Sequence, residues 1–191
     1  MLIQPTENPD LAILLPRRFQ DARGFFVESY SRRRLAKHGF TYDFVQDNLS
    51  LSTRVGTVRG LHFQRPPMAQ AKLVSVLRGA IFDVAVDLRQ GSPWYGCPVA
   101  VRLSAEEGNQ LVIPAGFAHG FCTLEPDTVV AYKVDAYYSA EDDDGLYWAD
   151  PALGIDWPVT EAEAELSDKD RRLPKLADVA RCFVHDRNPT A

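Results

Sequence analysis

The chain has 191 residues, 46% of them hydrophobic and 25% charged, which is enough for one domain with a sizeable core and far from the disordered and membrane classes. A formal net charge of −5 excludes nucleic-acid binding through an extended basic face, yet leaves room for a basic pocket inside an acidic shell. Residues 1–7 carry no basic segment followed by an apolar run, and no span approaches transmembrane length, so no secretory leader and no membrane partner are expected.

In chain order, a short helix is expected near Ser31 to His38, and most of the remaining chain reads as short strands broken by Gly and Pro. Lys72 to Leu77 and Ala80 to Leu88 flank Arg78-Gly79, a hairpin signal, with Phe82, Val84, Val86 and Leu88 on one face and Asp83 and Asp87 on the other. Further strands are expected at Val99 to Leu103, Gln110 to Ile113, His119 to Leu124 and Val129 to Val134. Thr160-Glu161-Ala162-Glu163 has the form of a capping box opening a helix, and Ser167 to Asp170 starts a second short helix stopped by Pro174. Residues 1–178 form the expected single domain, and 179–191 a peripheral C-terminal tail. Cys97, Cys122 and Cys182 are odd in number and widely spaced, which fits reduced thiols in the cytoplasm better than a disulfide framework or a zinc site.

The pattern of short strands is that of an all-β domain, and jelly-roll closure would leave no long exposed edges. Gly108 to His119 matches the G-x5-P-x-G-x-x-H pattern of the second half of a cupin-type barrel. A metal cupin also carries an H-x-H pair and a glutamate in its first half. Here the corresponding segment reads Arg59-Gly60-Leu61-His62-Phe63-Gln64, with a single histidine.

His62 can then be a hydrogen-bonded core residue, a metal ligand or a general base, and a metal site wants three protein ligands that the neighbouring sequence does not supply. Arg23, Arg59 and Lys72 are cations in segments that otherwise read as core. They suggest an anion site, although a solvated face would also accommodate them. Strand parity places Arg59 and His62 on opposite faces unless the strand is kinked, and Gly60 is a plausible bulge position. Tyr132 shares parity with Val130 and Val134 and can be ordinary packing. Phe25 and Phe26 can be core or a stacking surface, and the acidic run Glu141 to Asp144 can be a solvated turn.

Nine blocks in register resemble the dTDP-4-dehydrorhamnose 3,5-epimerase family over roughly residues 10 to 176. They include Arg23 to Tyr30, Val45-Gln46-Asp47-Asn48, Arg59 to Gln64, Gln70 to Val74, Phe82 to Arg89, Ile113 to Phe121, Tyr132-Lys133 and Leu166 to Asp170. The resemblance implies a cupin-type jelly-roll homodimer with short peripheral helices that needs no cofactor and no metal. It inverts carbons 5 and 3 of dTDP-4-dehydro-6-deoxy-D-glucose on the way to dTDP-L-rhamnose. By family position His62 is the proton acceptor, Asp170 its orienting carboxylate, Lys72 the donor near the developing enolate and Tyr132 the acid on the opposite face. Asp83 matches a second carboxylate. Arg23, Phe26, Glu28, Gln46, Asp47, Asn48, Arg59, Lys72, His119, Asp143 and Lys169 are placed in substrate binding, with Phe26 stacking on thymine. Two departures stand out: Asp143 where the family carries Glu, and Ala71 in place of a frequent glycine.

The residue types suit the chemistry. A neutral imidazole can take a proton from carbon beside a ketone if a cation stabilises charge forming on the oxygen, and inversion then needs an acid on the other face. Three rival readings remain at this level: an epimerase acting on one carbon, a metal-dependent cupin enzyme, and a sugar-nucleotide binding module without catalysis.

Overall fold

Near-continuous burial along Ala80–Asp87 and Phe117–Thr123 marks central strands covered on both faces. The computed structural model describes residues 1–185. Its strands are β1 (Leu2–Pro5), β2 (Ala12–Leu15), β3 (Arg18–Asp21), β4 (Gly24–Val27), β5 (Gln46–Ser52), β6 (Val58–Gln64), β7 (Lys72–Arg78) and β8 (Ala80–Asp87). They continue as β9 (Arg89–Gln90), β10 (Pro98–Ser104), β11 (Gln110–Ile113), β12 (Phe117–Thr123), β13 (Thr128–Val134), β14 (Asp143–Gly145) and β15 (Phe183–Val184). The α-helix α1 spans Arg32–Ala36, inside the segment where a helix is expected. Among the described residues no helix is long and apolar enough to cross a membrane.

Six strands pair in the order β1-β2-β11-β7-β13-β5 and five in the order β10-β8-β12-β6-β14. The sheets lie face to face over a core of Leu11, Val74, Val76, Ile81, Ala85, Leu103, Leu111, Ile113, Phe117, Phe121 and Val130. The all-β expectation holds, with one correction: among the described residues no ladder joins the two sheets, so the jelly roll is an open sandwich rather than a closed barrel. The Arg78-Gly79 hairpin is a second correction. β7 pairs with β11 and β13, while β8 pairs with β10 and β12, so the chain changes sheets at Gly79. Gly79 has φ +78, and a β-carbon there would press into Thr128, which makes it the corner residue between sheets rather than a hairpin turn.

The outer face of the five-stranded sheet is covered by the C-terminal segment. Leu61, Phe63, Val84, Val86 and Ala118 pack under Leu146, Leu153, Val179 and Phe183. The expected C-terminal tail is thus part of this cover as far as it is described, since β15 pairs in parallel with β9 and buries Phe183; residues 186–191 lie outside the described residues. The capping box forms, with Glu163 accepting from both the Thr160 backbone N–H and its hydroxyl. It caps a single turn rather than a helix, because Glu165 is drawn into a bridge with Thr57. The second expected helix is a 3-10 turn at Asp170–Arg172.

β6 is kinked where parity requires it. His119 stands opposite His62 and Phe121 opposite Arg59, so Gly60 and Leu61 together face the single residue Gly120. Gly60 has φ +113, and a β-carbon there would lie 2.7 Å from the Gly120 Cα. Only glycine fits that approach. The extra residue restores Arg59 and His62 to a common face.

Candidate active site

The inner face of β5 is polar and its outer face apolar, the reverse of an ordinary half-buried strand. Gln46, Asn48 and Ser50 point inward, while Leu49 and Leu51 are exposed. The inward row forms one wall of a cavity of about 340 Å³ between the sheets. Lys72 of β7 and Tyr132 of β13 extend that wall; Arg59 and His62 of β6 with His119 and Phe121 of β12 form the opposite one. Tyr138, Asp143, Ser167, Lys169 and Asp170 close the remaining side.

The imidazole of His62 is one third exposed, and its Nε2 lies 2.5 Å from Oδ1 of the buried Asp170. Burial works to raise the Asp170 carboxyl, but the contact with His62 and the contributions of Ser167 and Lys169 outweigh it and hold the group below the usual carboxylate range. An ionised carboxylate only accepts, so His62 donates through Nε2, and in the neutral ring Nδ1 is then the nitrogen that carries the lone pair. His119 repeats the construction on the neighbouring strand, with Nε2 at 2.8 Å from the fully buried Asp83. Burial, above all, pushes the His119 imidazole below its ordinary value against the pull of Asp83, and the Lys72 ammonium adds to that. It is a neutral ring.

Lys72 is buried and donates to the His62 carbonyl oxygen at 3.1 Å. Loss of hydration lowers its ammonium to about 8, a fall that Asp83 and Asp143 partly oppose. Burial pushes the Tyr132 phenol up, Arg59 counteracts this and Asp143 reinforces it, so the hydroxyl keeps its proton at neutral pH. Arg59 spans both sheets, donating to Ser52 Oγ and the Leu51 carbonyl of β5. At the rim Lys169 Nζ and the Tyr138 hydroxyl meet on Asp143 Oδ2 at 2.5 and 3.0 Å.

Of the residues expected in the site, the fold brings together His62, Asp170, Lys72, Tyr132, Asp83, His119, Arg59, Gln46, Asn48, Asp143 and Lys169. Four stand elsewhere. Asp47 is on the outer face of β5, paired with Lys133. Glu28 pairs with Arg34, and Arg23 is exposed against Asp21. Phe26 is 70% exposed on the β3–β4 ribbon, which pairs with neither main sheet. Ser50, Phe63, Gln64, Gln70, Phe121, Tyr138 and Ser167 also line the cavity, beyond the residues expected there. Parity with His62 marks Gln64, and parity with Asn48 marks Ser50. Tyr138 has no such signal, since it lies in an irregular segment.

Among the described residues no group of three or more His, Cys, Asp and Glu side chains could hold a metal ion. Both cavity histidines spend Nε2 on a carboxylate instead. A family model described as dTDP-4-dehydrorhamnose 3,5-epimerase matches residues 5–178. The chain belongs to the dTDP-4-dehydrorhamnose 3,5-epimerase family. The family member from Sinorhizobium fredii is 51% identical over 185 residues, covering 97% of this chain and 94% of that one. The crystal structure of the Bacillus anthracis enzyme with TDP and PPi bound is 53% identical with a TM-score of 0.87, over 91% of this chain and 99% of that one. The Legionella pneumophila enzyme in complex with dTDP-4-keto-L-rhamnose is 43% identical with a TM-score of 0.92, over 97% of this chain and 98% of that one.

The low value at Lys72 is open to direct titration. Nitrogen-resolved NMR of its ammonium should give a midpoint of about 8, and Asp83→Asn should move it lower because a carboxylate that favours the cation is gone. A midpoint in the ordinary lysine range, or an upward move in Asp83→Asn, would contradict this picture of the pocket.

Proposed function

We propose that the protein is a dTDP-4-dehydrorhamnose 3,5-epimerase of the cytoplasm, acting on dTDP-4-dehydro-6-deoxy-α-D-glucose to give dTDP-4-dehydro-β-L-rhamnose for dTDP-L-rhamnose biosynthesis. The observation that carries the reading is the placement of His62 and Tyr132 on facing sheets of one cavity, the first with a lone pair on Nδ1 in its neutral ring and the second holding its proton. Family membership supplies the substrate class.

His62 Nδ1 takes the proton from the carbon beside the ketone, and the electron pair of that C–H bond becomes the enolate. Asp170 holds the ring in the required tautomer and stabilises the imidazolium that forms. Lys72, still an ammonium below about pH 8, offsets the negative charge gathering on the enolate oxygen. Tyr132 then delivers its proton to the same carbon from the other side, which inverts it. A second round at the other flanking carbon completes the conversion, and exchange with water resets imidazole and phenol. Arg59 and Lys169 provide the cations for the diphosphate. Every step uses a side chain or the substrate, with no cofactor.

Purified protein incubated with the 4-keto sugar nucleotide in deuterated water should place deuterium at carbons 3 and 5 of the inverted product. His62→Ala should lower kcat by about 10²–10⁴-fold while dTDP affinity is kept. Deuterium at one carbon alone, or undiminished turnover in His62→Ala, would defeat the reading.

We also propose that the working unit is a homodimer in which the β3–β4 ribbon of one protomer serves the cavity of its partner. Support comes from the exposed apolar residues Leu49, Leu51 and Leu77 on the outer face of the six-stranded sheet and Phe25 and Phe26 on the ribbon. Arg23, Phe26 and Glu28, which the family places in the site, all fall outside the cavity of their own chain. Mixing inactive Arg23→Ala and His62→Ala proteins under exchange conditions should therefore recover about a quarter of wild-type activity, because half the dimers carry one intact cavity. No recovery would place Arg23 in its own protomer's site or outside any site.

A further inference from the structure

Residues 135–139 leave β13 at the mouth of the cavity without joining either sheet; the Asp135 N–H donates to the Ala71 carbonyl and the Ser139 carbonyl accepts from the Asp142 N–H, and the backbone polar groups between them turn to side chains or water. Three glutamines from three separate places supply the side chains. Gln70 Nε2 donates to the Ala136 carbonyl at 2.8 Å. Gln64 Nε2 donates to the Tyr137 carbonyl at 3.1 Å, and its Oε1 accepts from the Ser139 N–H at 2.8 Å. Between these, Gln46 Oε1 accepts from the Tyr138 N–H at 3.1 Å. Asp135 anchors the start of the segment, accepting from the Ala71 N–H at 2.7 Å.

Gln64 is the centre of the arrangement. It is 4% exposed, two residues after His62, and its amide also donates to the Met68 carbonyl at 2.7 Å. Both its donors and its acceptor are thereby engaged. A carboxylate of the same shape would keep the bond from Ser139 but set negative oxygen against two carbonyls. The segment so held carries Tyr138, whose hydroxyl reaches Asp143 at the rim. With the keto sugar at the buried His62 end, the ligand must extend its nucleotide part past this rim.

We propose that Gln46, Gln64 and Gln70 are positioning residues, forming a clamp that fixes Tyr138 at the nucleotide side of the cavity mouth. The proposal rests on the epimerase reading for the identity of the ligand. The clamp acts through Tyr138 and leaves the His62–Asp170 pair untouched, so its loss falls on nucleotide affinity and KM more than on kcat.

The test is calorimetric titration with dTDP of the wild-type protein, Gln64→Glu, Gln70→Leu, Tyr138→Ala and the double variant Gln64→Glu/Tyr138→Ala, with KM and kcat measured alongside. Gln64→Glu and Tyr138→Ala should each weaken dTDP binding about tenfold, and the double variant should bind no more weakly than Tyr138→Ala alone. Gln70→Leu, which removes one contact of the clamp, should weaken binding in the same direction and decides the matter if Gln64→Glu does not fold. Wild-type affinity in the clamp variants, or losses that multiply in the double variant, would overturn the proposal while leaving the epimerase reading in place. A wild-type protein that binds no dTDP would overturn that reading and the proposal with it.

Discussion

The extra residue in β6 opposite Gly120 is the constraint on which the site depends. Arg59 and His62 are three positions apart, and in a regular strand an odd separation sends side chains to opposite faces. Two glycines at the crossing make the irregularity possible: a β-carbon on Gly60 would sit 2.7 Å from the Gly120 Cα, and one on Gly120 would sit 2.6 Å from the Arg59 carbonyl oxygen. The close approach lets one strand deliver a guanidinium and an imidazole to the same cavity. It also sets His62 beside His119, so two histidines, each backed by a carboxylate, stand on adjacent strands.

Burial and pairing then assign the protonation states. Desolvation keeps His119 neutral, holds the phenol of Tyr132 in its acid form and brings Lys72 down to about 8. Asp170 moves the other way despite being buried, because His62, Ser167 and Lys169 reward its charge. Within one pocket burial thus moves a phenol further towards its acid form, an imidazole further towards its neutral form and an ammonium closer to neutrality than an ordinary lysine. The inverted pattern of β5 belongs to the same design, since its polar residues face the cavity and its leucines face outward.

Much of this is legible in the sequence, and the failures have physical reasons. Strand periods mark the elements, and the parity conflict between Arg59 and His62 by itself points to Gly60. The Arg78-Gly79 pair misleads because a glycine with positive φ serves equally well in a hairpin and at a corner between sheets. Local sequence does not say which strand comes next in space. Closure into a barrel is likewise a property of long-range pairing. The Thr160 capping box is legible as a cap but not as a single turn, since the bridge from Glu165 to Thr57 competes with helix propagation. In the site, alternation finds the residues on regular strands, whereas Tyr138 escapes it because its position depends on side-chain contacts from three distant segments. Arg23, Phe26 and Glu28 are expected from family position alone, and no strand pattern points to them.

The central claim is that a proton leaves toward the His62 wall and returns from the Tyr132 wall. The most direct measurement is the fate of solvent deuterium with Tyr132→Phe, following both exchange and configuration at the carbons beside the ketone by NMR. Deuterium should still enter the sugar through His62 while inversion is lost, because the base can return a deuteron only to the face it came from. Inverted product formed at the wild-type rate would contradict that claim.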